Sequence, residues 1–170
     1  GLKVVSVAAL VQKPLTSIIS LPKGKIARPA DLKGKTVGTA GIDYQEAYLK
    51  TILADAGVNP DTVKVRNVGF GFNPALLTGK IDAALGAFWN YEGVDLRLRD
   101  KHPRVIRIED AGVPSYNELV LVANGSALER DGDGCWHIGL RLWEAAAVSP
   151  RSVGLREAAL PFLQDLYEIT

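Results

Sequence analysis

Blocks of apolar residues alternate with polar stretches along the chain, and these blocks predict strands separated by short helices. The segment LKVVSVAALV at 2–11 is apolar at nearly every position and rich in β-branched residues, which is typical of a strand covered on both faces. We therefore predict a buried parallel strand there. Further strands are expected at 36–39, 63–68, 81–88, 104–110 and 117–125.

The clearest helix is expected at 43–57, where apolar side chains recur on one face of a 3.6-residue period. Asp43 followed by Glu46 has the spacing of a capping box, and Gly57 is the expected stop. The buried face would carry Tyr48, Leu49, Ile52, Leu53 and Ala56.

Shorter helical segments are expected elsewhere. A single turn would open at Pro29 and close at Gly34, and a compact helix over 73–80 would use Asn73 as its cap. Two further helices are expected at 137–148 and 154–169. The order of elements predicts an α/β fold with a parallel sheet and right-handed crossovers.

Composition excludes several classes of protein. The chain has 170 residues, 47% of them hydrophobic and 23% charged, with a formal net charge of +1, so nothing favours nucleic acid or an anionic membrane as partner. Its first residue is glycine and it contains no methionine, which we interpret as a mature or cut form of a longer product.

Catalytic machinery is not visible in the sequence. The lone cysteine, Cys135, cannot form an internal disulfide, and His102 and His137 lack a third donor at metal-ligand spacing. No nucleophile elbow or phosphate loop occurs. We therefore expect no enzyme activity, no metal and no cofactor.

The stretch GAFWNYEG at 86–93 is the main candidate for a ligand site, because it follows a predicted strand at the edge where open α/β sheets bind ligands. If the extended backbone continues to residue 92, Phe88, Asn90 and Glu92 share one face, with Trp89 and Tyr91 on the other. One ring, one amide and one carboxylate suit a flat heteroaromatic ligand with an amino group.

Three segments carry a family resemblance: ADLKGKTVGTAG at 30–41, PALLTGKIDAALGAFWNYEG at 74–93 and AGVPSYNELVLVAN at 111–124. In this order they resemble the substrate-binding proteins of the thiamine-pyrimidine precursor (NMT1/THI5-like) group, relatives of the alkanesulfonate and taurine binding proteins of ABC importers. The resemblance implies an α/β, type II periplasmic-binding-protein fold of two lobes with parallel sheets, from which an N-terminal half-lobe is missing. Lobe 1, incomplete, would comprise 1–28 and 117–170, and lobe 2 would comprise 29–116.

The same resemblance implies a function. The protein would bind a formylated aminomethyl-pyrimidine in a cleft between the lobes, held by Phe88 and Glu92, and present it to an ABC permease. Asn90, which shares the predicted face of these two residues, would add amide contacts. Its location would be periplasmic or extracellular, as a cell-surface lipoprotein in one form, with contact to the membrane only through a lipid anchor or the permease and none to nucleic acid.

Four further residues are candidate ligand contacts, each with a structural alternative. Asp43 could favour an amine-bearing ligand or simply cap its helix. Gln12 could reach the cleft or lie in an exposed turn. Tyr116 and Glu118 lie near a predicted hinge, where loop residues are as often structural.

Two other functions remain open. The same fold serves as the effector-sensing domain of transcription regulators and as the input domain of sensor kinases. Within importers, riboflavin or a small sulfonate could replace the pyrimidine.

Overall fold

The computed structural model describes residues 3–125, 128–130, 132 and 136–138. These residues form two compact units. One unit contains the described residues of 1–9 and 120–170, and the other contains 10–119.

Nine strands and three α-helices occur in the described residues. The strands are β1 (Val4–Val11), β2 (Thr16–Ser20), β3 (Thr36–Thr39), β4 (Lys64–Asn67), β5 (Ala83–Phe88), β6 (Arg104–Arg107), β7 (Leu119–Asn124), β8 (Leu128–Arg130) and β9 (Trp136–Ile138). The helices are α1 (Asp43–Asp55), α2 (Phe72–Leu77) and α3 (Glu92–Leu98), with one-turn 3-10 helices at Pro22–Gly24, Pro29–Leu32, Pro60–Thr62 and Ile108–Ala111.

A five-stranded sheet of order β4-β3-β5-β2-β6 forms the centre of the 10–119 unit. β3 runs parallel to β4 and β5, as predicted, whereas β2 is antiparallel to β5 and β6. The sheet is therefore mixed rather than wholly parallel. The sequence analysis missed β2, because five residues between Pro14 and Pro22 are too few to show a period. β2 falls within the 1–28 segment predicted for lobe 1, yet it pairs inside this unit.

The two faces of this sheet carry separate cores. Ile18 of β2 packs in the cluster that includes the apolar face of α1, and the next residue, Ile19, packs in the cluster that includes Phe72 of α2 and Leu96 of α3. Such alternation is the period of a strand. Helices therefore cover both faces, which explains why β2 and β5 are buried along nearly their whole length.

The prediction for α1 is confirmed in its buried face and its end. Leu49, Ile52 and Leu53 are buried, and Gly57 adopts φ +66° just after the helix. The predicted capping box is wrong. Ile42 is the N-cap, without a side-chain cap bond, so Asp43 is already inside the first turn, and Glu46 instead pairs with Lys50 at 2.9 Å.

The prediction that Asn73 caps α2 is wrong. Gly71 is the N-cap, and Asn73 lies buried inside the helix. Its Nδ2 donates to the backbone oxygen of Glu92 at 3.2 Å and to Asp95 Oδ2 at 2.7 Å. The amide therefore joins α2 to α3, a partnership between residues that local sequence could not reveal.

β1 is not the buried parallel strand that its composition predicted. Among the described strands its partner is β7 alone, and Val4 and Val122 are each more than half exposed. Gly125 N–H donates to Lys3 O, and Glu118 N–H donates to Val11 O, so the two strands run antiparallel. The apolar composition of β1 therefore does not reflect burial on both faces.

The predictions for the C-terminal segment are largely outside the described residues. The helix expected to begin at His137 is wrong at its start, because Trp136–Ile138 form β9, paired antiparallel with β8. The rest of that helix and the one at 154–169 lie outside the described residues. Among the helices that the structure describes, none has the length and apolarity to cross a membrane.

Asp95 provides a test of how α2 and α3 are joined. Hydrogen bonds from Arg99 and Asn73 hold the pKa of Asp95 below its ordinary value. A carboxylate of this kind stabilises the fold above its unfolded pKa, about 3.9, and this contribution is lost as the pH falls through the lower folded pKa. We expect Asp95→Asn to lower the urea midpoint at neutral pH, with the difference from wild type shrinking below about pH 4. The control Asp61→Asn, at an exposed residue, should stay near wild type. A pH-independent difference would contradict this role of the charge.

Candidate functional site

The candidate site lies where β5 ends and β2 begins. β3, β4 and β5 are parallel, so their carboxyl ends meet at one edge of the sheet, which is where open α/β sheets bind ligands. β2 runs the other way, and its first residue, Thr16, is the cross-strand partner of Phe88. Residues far apart in the chain therefore meet at this edge.

The predicted alternation through residue 92 is wrong beyond Phe88. β5 ends at Phe88, residues 89–91 form a turn, and α3 begins at Glu92. The Glu92 carboxylate turns back, and its Oε2 accepts the Phe88 N–H at 2.7 Å. Phe88 and Glu92 are thus brought together by the start of a helix and not by a shared strand face. Asn90 is exposed in the turn.

Trp89 packs against the 10–119 unit. Its backbone N–H donates to Leu15 O at 3.1 Å, and its indole Nε1–H donates to Pro14 O at 3.4 Å. The Arg107 guanidinium lies 4.2 Å from the ring centroid, a distance suited to a cation–π contact. Tyr91, by contrast, is 73% exposed.

Glu118 is the centre of a polar cluster. Its Oε2 accepts the Leu15 N–H at 2.9 Å, the Thr16 N–H at 3.4 Å and the Thr16 hydroxyl at 3.5 Å. The Tyr116 hydroxyl donates to the same oxygen at 3.0 Å and lies 3.4 Å from Thr16 Oγ1. Two predicted residues, Tyr116 and Glu118, are therefore brought together beside Thr16 and so next to Phe88.

A row of tyrosines extends this cluster along α1. The rings of Tyr44 and Tyr48 have centroids 5.2 Å apart, and those of Tyr48 and Tyr116 are 6.1 Å apart. Both distances are in the range of favourable aromatic pairs. Burial raises the pKa of the Tyr116 hydroxyl well above its ordinary value, so Tyr116 remains a hydrogen-bond donor at neutral pH.

Two predicted residues lie apart from this cluster. Asp43 is exposed at the first residue of α1 and borders a groove of about 460 Å³ between α1 and β4. Gln12 is exposed in the loop after β1. In the part of the chain that the structure describes, no hydrogen bond joins either side chain to Phe88, Glu92 or Glu118.

Sequence reasoning missed Thr16, Tyr44 and Tyr48 as members of the site. Tyr44 and Tyr48 have the i, i+4 spacing of an aromatic pair on a helix, which could have been recognised. Thr16 carries no such signal, because its role depends on the pairing of β2 with β5 and on a carboxylate 102 residues away.

Metal or catalytic centres were not predicted. Among the described residues, no three His, Cys, Asp or Glu side chains gather in a way that could hold a metal ion. His102 is exposed beside Asp100, with 3.7 Å between His102 Nε2 and Asp100 Oδ1. Cys135 lies outside the described residues.

The chain matches one family model and several known proteins. A family model described as NMT1/THI5 like matches residues 1–134. A Haemophilus influenzae protein named for thiamine biosynthesis is 39% identical over 75% of this chain and 41% of its own length. The formylaminopyrimidine-binding protein of Halalkalibacterium halodurans is 33% identical over 98% of this chain and 53% of its own. The chain therefore spans about half the length of these relatives.

Two further likenesses concern chemistry and fold. A 4-amino-5-hydroxymethyl-2-methylpyrimidine phosphate synthase of Schizosaccharomyces pombe is 29% identical over 51% of this chain and 25% of its own length. A substrate-binding protein of a Streptococcus pneumoniae ABC uptake transporter, solved with bound histidine, superposes with a TM-score of 0.53 at 17% identity, covering 73% of this chain and 50% of the other. This superposition confirms the expected type II periplasmic-binding-protein fold.

The half-buried hydroxyl of Tyr116 gives a prediction at high pH. A group whose pKa is raised in the folded state contributes its stability fully below its unfolded pKa, about 10 for tyrosine, and loses it as the pH rises. Tyr116→Phe removes one hydrogen bond to a carboxylate, which we expect to cost about 1–2 kcal/mol at pH 7. Above about pH 10 the difference in unfolding free energy between Tyr116→Phe and the wild type should narrow. The wild type loses stability there, because its unfolded tyrosine ionises while the folded one stays protonated, and phenylalanine has no proton to lose.

Urea midpoints between about pH 7 and 11 test this expectation. Tyr91→Phe is the matched control, since Tyr91 is exposed, and its pH profile should parallel that of the wild type. A Tyr116→Phe profile that also ran parallel to the wild type would contradict the raised pKa of this hydroxyl.

Proposed function

The chain belongs to the NMT1/THI5-like family, and on this premise we propose that it is the substrate-binding component of an ABC importer, holding a thiamine pyrimidine precursor where β5 ends. The observation that carries the proposal is the meeting of an aromatic ring, Phe88, with two carboxylates, Glu92 and Glu118, at one edge of the sheet.

These groups match the chemistry of an aminopyrimidine. A flat ring of this kind can stack on Phe88, and its amino group and any protonated ring nitrogen need carboxylate acceptors. Glu92 and Glu118 each use Oε2 for a backbone donor. No described residue donates to Oε1 of either one, so each carboxylate keeps an oxygen for a ligand.

The relatives favour binding over catalysis. The relative named as a formylaminopyrimidine-binding protein aligns over nearly the whole chain, whereas the one named as a synthase aligns over about half of it. We therefore assign Phe88, Glu92, Tyr116 and Glu118 to ligand recognition, with Asn90 as an exposed contact. Gln12 and Asp43 are outer contacts in this proposal.

An importer component of this kind would deliver its ligand to a permease from outside the cytoplasm. Sequencing the gene upstream of the Gly1 codon tests this part of the proposal. A signal peptide followed by a lipid-anchored cysteine would support it, and a helix-turn-helix domain would contradict it in favour of the regulator.

A thermal-shift screen tests the ligand class. The protein is heated with formylaminopyrimidine, thiamine, riboflavin and an alkanesulfonate in separate samples. A ligand at a hundred times its dissociation constant stabilises the fold by roughly 2.7 kcal/mol, which raises Tm by several degrees in a protein of this size. We expect a selective shift with formylaminopyrimidine. A shift with riboflavin or the sulfonate alone, or with none of the four, would overturn the proposed ligand.

Glu92→Gln tests the role of the charge at the site. The glutamine Oε1 can still accept the Phe88 N–H, so the turn after β5 should persist, while the charge that strengthens a bond to the ligand is lost. We expect the Kd for formylaminopyrimidine to rise at least about tenfold, because a hydrogen bond to a charged group contributes about 1.5–3 kcal/mol. Isothermal titration calorimetry measures the change.

Asp100→Asn is the matched control, since it removes one negative charge from a side chain that is 93% exposed. Its Kd and Tm should equal those of the wild type. Glu92→Gln with an unchanged Kd would show that Glu92 serves only the fold.

A further inference from the structure

We propose that Gln45 is a positioning residue for the ligand site, because its buried amide holds the loop between β3 and α1, residues 40–42, against the end of β5. The inference rests on the proposed function, since it concerns the same edge of the sheet. Gln45 belongs to neither the predicted site nor the cluster around Glu118.

A bulge in β5 creates the space that Gln45 occupies. Ser17 pairs with Ala87 and Ile18 with Leu85, so Gly86 is the extra residue in the β2–β5 ladder. Gly86 has φ +103°, a conformation that favours glycine. A Cβ built on Gly86 would overlap Nε2 of Gln45. The missing side chain of Gly86 therefore admits the amide of Gln45.

The other end of the same amide fixes the loop after β3. Gln45 is 1% exposed, and its Oε1 accepts the Ala40 N–H at 2.8 Å. A buried polar group is costly unless it is hydrogen-bonded. One side chain on the first turn of α1 thus joins residue 40 to the bulge, two residues before Phe88.

This link affects the site because β3 and β5 are adjacent and parallel. Their carboxyl-end loops lie side by side at the edge where a ligand would bind. A binding site needs its parts held within about 0.5 Å. On its outer side the loop is confined by Asn67, since a Cβ on Gly41 would overlap the Asn67 amide. Gln45 therefore supplies the inner constraint on a loop that is already packed on its outer side.

Gln45→Leu tests the proposal, because leucine has a similar volume but no acceptor for Ala40. Amide hydrogen exchange is measured on the ligand-free protein, and the Kd for formylaminopyrimidine by calorimetry. We expect the exchange rate of the Ala40 amide and the Kd each to rise about tenfold, which corresponds to the loss of about one hydrogen bond. The Val58 amide, bonded to Leu53 O at 2.8 Å, reports general destabilisation and should keep its rate.

Gly86→Ala is the second variant, since it leaves Gln45 unchanged but places a methyl group where the amide lies. It should reproduce both changes. Gly79→Ala is its matched control, because Gly79, at the end of α2, also has positive φ, +72°, but has no atom within 4 Å of its built Cβ. That variant should leave the Ala40 rate and the Kd as in the wild type.

The outcomes separate this inference from the proposed function. An Ala40 rate unchanged in Gln45→Leu and Gly86→Ala would overturn the positioning role, whatever the protein binds. A raised Ala40 rate with an unchanged Kd would overturn it as well. If the wild type itself fails to bind formylaminopyrimidine, the proposed function is wrong, and the exchange rates still decide whether Gln45 holds the loop.

Discussion

The antiparallel pairing of β2 with β5 is the contact on which the rest of the 10–119 unit depends. Both strands are covered on two faces, so their backbone N–H and C=O groups have no access to water and must bond to each other. The buried Ser17 hydroxyl likewise finds its partner across this pairing, since it donates to Ala87 O at 2.8 Å. A different register would leave several of these groups unpaired. The pairing therefore also determines that Thr16 lies opposite Phe88.

The bulge at Gly86 modifies this pairing in a way that serves both cores. Leu85 belongs to the core beneath α1, and Ala87 belongs to the core beneath α2 and α3. In an unbroken strand these two residues would face the same side. The extra residue thus reverses the faces at the end of β5, and it opens the space into which Gln45 inserts. The bulged end of β5, the first turn of α1 and the loop after β3 are in this way parts of one packing arrangement.

The carboxylates at this edge have two roles. Glu92 and Glu118 accept backbone N–H groups at the end of β5 and at the start of β2, so each stabilises the fold as a half-buried acceptor does. In the proposed function the same groups face the ligand. A substitution that removes the acceptor would disturb both roles, whereas the exchange of carboxylate for amide separates charge from hydrogen bonding.

The sequence alone determined the elements whose signal is local. β3 at 36–39, the buried face of α1 and the glycine that ends it follow from periodicity and from backbone preferences within a few residues, and the family followed from three motifs. The tertiary structure alone decided what depends on distant partners. Leu15 and Glu118, which share a hydrogen bond, are 103 residues apart in the chain. β2 is recognisable only from the strands that flank it. Asn73 was predicted to cap α2, but it lies inside the helix and bonds to Asp95. Glu92 begins a helix because the chain turns at the end of β5, which no alternation of residue types could show.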